Sequence, residues 1–310
     1  MSGDDNLVPV PPSRIRWVFV GEKEIRAGWS ISIFFVILGV LTAAFFFPVK
    51  SLLETNHFSL DDATPVSSAA GELAGLLALI GASIIMALIE HKPLISYGLE
   101  GPRRLALFGV GLICGFAALA LLVGALALGG YLSLDGQVLH GPDVWEYALE
   151  WGVVFLMVGA YEEYFLRGYM QATLARGIGF WWSAAILSIL FGCSHLMNPG
   201  ESKVGIVSAA LVGFVFCISL WYLKNLWWAI GFHGAWDWGE SYFWGTADSG
   251  RVVQGHLYAS HPQGDILWSG GATGPEGSIM VIPLLLFVAL LLWAICRRAP
   301  GRVPEPHVLH

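Results

Sequence analysis

The sequence predicts an all-α membrane protein, a polytopic bundle of about eight transmembrane helices. Three observations carry that prediction. Hydrophobic residues make up 56% of the 310 residues and charged residues only 13%, against roughly 25% charged in an ordinary soluble domain. Mean hydropathy is +0.66. The apolar residues also run in blocks of the length a bilayer requires, about 17–25 residues. With 16 basic against 23 acidic residues and a formal charge of −7, the chain has no basic footprint for nucleic acid. Cys114, Cys193, Cys217 and Cys296 all lie in apolar stretches, which argues against a disulfide framework or a CxxC zinc site.

The predicted spans follow in chain order. The first, 29–47, is charge-free and runs into Phe47-Pro48-Val49-Lys50 without a small-x-small cleavage site, so it reads as a retained anchor rather than a signal peptide. Segments 73–89 and 105–129 are likewise charge-free. The fourth, 151–170, carries Glu162, Glu163 and Arg167, and the fifth, 177–197, carries His195. Segment 204–223 is again purely apolar, 225–241 contains His233, Asp237 and Glu240, and 278–296 closes the set. With no repeat or low-complexity linker in view, the chain divides into a polar tail at 1–26, one integral domain at 27–296 with a motif-bearing core at 151–241, and a short tail at 297–310.

Eight spans place both termini on one side, and the Lys/Arg distribution orients them. Thirteen of the sixteen basic residues, from Arg14 and Arg16 through Lys92, Arg176 and Lys224 to Arg302, then fall at cytoplasmic ends. Lys50, Lys203 and Arg251 are left on the other face. The expected location is a prokaryotic plasma membrane with both termini cytoplasmic.

Ionisable groups at bilayer depth are costly, and each is a functional candidate. In Tyr161-Glu162-Glu163-Tyr164-Phe165-Leu166-Arg167, Glu163 and Arg167 are four residues apart and share a helix face, so they can pair. Glu162 lies about 100° round from Glu163 and stays free for another partner. Phe191 stands one turn before His195, and a lone histidine there reads as a packed core residue as readily as a site residue. His233 and Asp237 repeat the four-residue spacing, which suits a local hydrogen bond or a functional pair. Glu240 is either a further member or an interfacial side chain. A bundle that only spans the membrane gains nothing from all of these together.

Glu-Glu-x-x-x-Arg, then Phe-x-x-x-His, then His-x-x-x-Asp, in that order in a polytopic chain, resembles the CAAX-processing and bacteriocin-processing (CPBP or Abi) intramembrane endopeptidases. The resemblance covers 151–241. It implies a membrane-embedded peptidase acting on a membrane-associated peptide or protein, with Glu162 activating water and Glu163 and Arg167 as its supporting pair. It makes His195 a water-positioning or water-activating group and His233 with Asp237 the oxyanion-binding pair.

Peptide hydrolysis needs an activated water, a stabilised oxyanion and a proton for the leaving amine. Asp237 is the awkward member, because an ionised aspartate only accepts hydrogen bonds where the asparagine of CAAX-type members donates. It must be protonated, orient His233 or bind a metal. Zinc held by Glu162, Glu163, His195, His233 and Asp237 is open as a second chemistry, although the sequence has no His-Glu-x-x-His. No other cofactor is implied. Two further classes compete: a secondary transporter, which lacks the paired broken helices of inverted halves here, and a non-catalytic scaffold or immunity protein on the same fold. Helix arithmetic leaves one mismatch. His195 lies about 21 Å from the cytoplasmic end of its span and Glu162 about 16 Å from the outer end of its own, in a core of about 30 Å. The 242–277 connector contains His256, His261 and Asp265, expected to be solvated unless they form a lid or a peripheral metal site.

Overall fold

Helices form where the apolar blocks fall, and polar residues set their ends. The computed structural model describes residues 18–21 and 24–297. Most of both predicted tails, with Arg14, Arg16, Lys23, Arg298 and Arg302, lies outside the described residues. α1 (Ala27–Thr55) continues eight residues past the predicted end, straight through Pro48. α2 (Pro65–Glu90) starts at a Thr64 cap whose side chain accepts from Ser67 N, with Pro65 at the first helical position, a pairing that satisfies one orphan donor and omits another. α3 (Arg104–Leu128) follows.

α4 (Asp143–Glu163) begins eight residues before the predicted boundary. Pro142 precedes it, and Asp143 and Glu146 in the first turn suit the positive end of the helix dipole. It runs on through a π turn at Tyr164–Met170 into α5 (Gln171–Ile178). Gly179, at φ +84°, turns the chain into α6 (Phe180–Ser194), whose last residues tighten into a 3₁₀ turn at His195–Met197. Ser202 caps α7 (Lys203–Leu223) by accepting from Gly205 N. α8 (Trp227–Trp238) ends in a second π turn, Gly239–Phe243. A short helix α9 (Ile266–Ser269) interrupts the long connector after α8, and α10 (Val281–Cys296) is the last described helix.

Five of these helices are long and apolar enough to cross a membrane, and α10 is a shorter apolar helix. The molecule is an all-α polytopic membrane bundle and an integral membrane protein. Large apolar side chains such as Phe47, Leu88, Leu105, Ile113 and Leu128 stand exposed on the outside, a girdle suited to lipid and not to water. One element has no counterpart in the helical prediction: β1 (Leu132–Gln137) pairs antiparallel with β2 (Tyr258–Pro262), with a bulge between Leu134 and Gly136. It stitches the connector before α4 to the one after α8. All four cysteines are free.

α8 is the hub, packed between α3 and α4, while α7 packs against α6 and α10. One core cluster gathers Phe34, Leu79, Met86, Tyr169 and Leu187, and a second gathers Leu119, Leu126, Phe216, Trp228 and Phe232 around α8.

Candidate active site

Two close approaches between helices build the site. A Cβ on Gly159 of α4 would lie 3.0 Å from Ile230 O and from Gly234 N of α8, and one on Gly234 would lie 3.0 Å from Phe155 O. On the far side of α8, a Cβ on Gly231 would fall 3.0 Å from Leu112 N of α3. Only residues without a side chain let backbones come so near. One turn beyond Gly159 the chain reaches Glu162 and Glu163, which are thereby held against His233. The π turn starts at the next residue, an irregularity that recurs at functional sites.

Glu163 and Arg167 form an ion pair at 2.9 Å, with both side chains fully buried. The guanidinium also lies 4.5 Å from the ring centre of Phe191 and 5.7 Å from that of Phe216, a cation–π setting for a charge out of water. The same Glu163 oxygen lies 3.0 Å from His233 Nδ1. The pair therefore contacts His233 through Glu163. The physical reason is helix rotation: Glu163 points towards α8, and Glu162 points into the cavity.

His233 is fixed from three directions. Nδ1 meets Glu163, the ring stacks on Phe216 with centroids 5.6 Å apart, and Nε2 faces Glu162 Oε2 at 3.7 Å and Asp237 Oδ2 at 3.5 Å. His195 Nδ1 is occupied by Phe191 O at 2.8 Å, with Phe191 in edge contact with its ring. A hydrogen bond from Nδ1–H leaves Nε2 as the ring's unprotonated nitrogen in the neutral form.

Glu162, His195, His233 and Asp237 line one cavity of about 830 Å³. The depth mismatch in the sequence arithmetic therefore disappears. Its cause is the boundary at Trp151: that residue is buried under the connector, donating from Nε1 to Gln254 O at 2.9 Å, so it does not mark the end of its span. The cavity wall also contains Glu72, Asp248, Arg251 and Glu276, none of which the motifs single out. Glu72 precedes the predicted start of its span by one residue and so falls outside the charges expected within the membrane. Asp248 and Glu276 belong to a connector whose folding the sequence does not announce.

The three connector residues expected to be solvated or metal-binding do not converge. His261 pairs with Asp135 across the β ladder, Asp265 caps α9 by accepting from Leu267 N, and His256 Nδ1 meets Val253 O at 3.1 Å. In the motif region His233 Nε2 lies 3.7 Å from Glu162 and 3.5 Å from Asp237, but these three do not form a group whose ligand atoms all lie within 4.8 Å of one another, so they do not fit a closed zinc site as they stand. Among the described residues, the carboxylates within 4.8 Å of one another that offer a cation site are Glu240, Asp248 and Glu276.

Residues 144–239 match the family model described as Type II CAAX prenyl endopeptidase Rce1-like. The matched span contains all three motifs and all six candidate residues. No curated protein matches the chain significantly.

Proposed function

We propose, from the similarity of residues 144–239 to the Rce1-like family model, that the protein is an intramembrane endopeptidase that cleaves a membrane-associated peptide with a glutamate-activated water. The observation that carries this reading is the placement of His233, whose Nε2 faces both Glu162 and Asp237 at the wall of a cavity large enough for a peptide segment.

In this mechanism Glu162 takes a proton from water as the oxygen attacks the scissile carbonyl. Its side chain is 31% exposed, so water reaches it while the surrounding apolar wall limits bulk solvent. His195 turns its Nε2 to the cavity and helps hold the water. His233, in its doubly protonated form, donates from Nε2 to the oxyanion while Nδ1–H stays on Glu163. Charge developing on the substrate then meets a donor already in place, the arrangement that costs least reorganisation. Asp237 orients His233 or, when protonated, donates beside it. Glu162 finally returns its proton to the leaving amine.

The direction of approach follows from charge. Besides the site residues, the cavity is lined from connectors that carry Asp61, Asp62, Asp248 and Glu276 against a single basic residue, Arg251. The opposite end of the bundle carries Lys92, Arg103, Arg104, Arg176 and Lys224. By the positive-inside rule the basic end is cytoplasmic, so substrate enters from the non-cytoplasmic side. The test is to compare membrane proteomes of cells expressing the native chain and Glu162→Gln. Accumulation of a precursor in the variant, with its cut mapped near the non-cytoplasmic face, is the expected result. Identical peptide patterns in both strains would remove the reading.

A further inference from the structure

Behind the motif residues, the end of α8 and the outer connector bring three carboxylates together: Glu240, Asp248 and Glu276, with oxygens within 4.8 Å of one another. Each has one oxygen held by a neutral donor. Trp236 Nε1 donates to Glu240 Oε2 at 2.8 Å, Ser241 Oγ to Asp248 Oδ2 at 3.1 Å, and Ser249 N and Oγ to Glu276 Oε1 at 2.8 and 2.6 Å. That leaves one oxygen of each carboxylate for a ligand. Glu240 is fully buried, and its Oε1 has no hydrogen-bond partner among the described residues. Among those residues, no Lys, Arg or His reaches ion-pair distance of any of the three.

Three neighbouring carboxylates without a cation cannot all stay ionised in such a place. A buried, unpartnered carboxylate oxygen facing two others, with both of those lining the cavity, calls for positive charge. The donors are all oxygen, which selects a hard ion over zinc or copper.

We propose that Glu240, Asp248 and Glu276 form a site for one hard divalent cation, of the calcium or magnesium class, that pins the outer connector to the end of α8. The site uses none of the motif residues as ligands, although its charge reaches Asp237 and His233 across the shared cavity. An ion there ties two distant parts of the connector, around residues 248 and 276, to a span-end residue and fixes the wall against which substrate lies.

The experiment uses the full chain purified in detergent, stripped with EDTA and titrated with calcium or with magnesium by calorimetry, with thermal unfolding followed in parallel. The expected result is one ion per chain and a rise in Tm of several degrees on ion addition. Glu276→Gln and Asp248→Asn should each weaken binding at least tenfold, and Glu162→Gln should leave it unchanged. The two connector variants are chosen because Glu240→Gln risks misfolding. If neither ion binds and EDTA leaves Tm unmoved, the carboxylates share protons and the proposal fails. It fails equally if binding is lost in Glu162→Gln but kept in Glu276→Gln, because the ion then belongs to the motif residues. Neither outcome depends on cleavage, so failure here is distinguishable from failure of the peptidase reading.

Discussion

At the scale of single residues, the adjacent glutamates have opposite surroundings, and their substitution should separate cleanly. Glu162→Gln keeps shape and removes a base, so cleavage should fall by about 10²–10⁴-fold with Tm unchanged. Glu163→Gln leaves the fully buried Arg167 without its carboxylate, at a cost of about 3–5 kcal/mol, and also frees the His233 ring. Both Tm and turnover should drop. Equal loss of folded protein from the two changes would refute this division. Asp237→Asn distinguishes the two chemistries, because asparagine keeps the shape and supplies a donor. Substantial activity should survive in protein that holds no zinc if Asp237 serves the oxyanion or orients His233. If instead stoichiometric zinc leaves the protein together with activity, Glu162 and Asp237 are ligands and the metal-free route is wrong. The sequence separates Glu162 from Glu163 because a helix turns about 100° per residue. It does not reveal that the buried member reaches across to His233, since that depends on which helix lies alongside.

Among elements, the contact of α4 with α8 decides the site geometry. Gly159→Ala would force a methyl to within 3.0 Å of two backbone atoms of α8. Rigid main chain cannot yield as a side chain does, so a loss of about 1–3 kcal/mol is expected, with turnover falling further than Tm because Glu162 and His233 move apart. Activity and stability declining in proportion would show that the contact only packs. At the other end of the bundle Glu24 holds two cations, Lys92 at 2.7 Å and Arg176, and Arg176 also meets Glu90 at 2.8 Å. Partial burial alone would raise the Glu24 carboxyl, but the hydrogen bonds and charges of Lys92 and Arg176 outweigh it and hold the carboxyl below its ordinary value. The stabilisation is therefore present above the unfolded pKa, near 4.3, and is lost as pH falls through the lower folded value. Acidification should lower the Tm of the native protein more than that of Glu24→Gln. The helices themselves are legible because apolar block length and caps such as Thr64 and Ser202 are local signals. The β ladder and the carboxylates of the outer connector are not, because Leu132–Gln137 and Tyr258–Pro262 meet across more than a hundred residues with no periodic pattern to announce the pairing.

For the whole molecule, the separation of acidic and basic ends is a statement about topology. In a variant whose four cysteines are replaced, a single cysteine placed at an exposed connector position such as Val252 should react with a membrane-impermeant maleimide in intact cells. One placed at Arg103 should react only after lysis, and the reverse pattern would invert the bundle and the side from which substrate enters. The two π turns, at Tyr164–Met170 and Gly239–Phe243, extend this view from one molecule to its descent. Each holds one residue more than an α-turn of the same height, which is what a single-codon insertion into an ordinary helix leaves behind. Removing one residue from within either turn would restore regular winding and leave the residues beyond on their present faces, whereas a deletion elsewhere in the helix would turn them by about 100°, so comparison with relatives in these helices must allow a one-residue gap within Tyr164–Met170 and Gly239–Phe243.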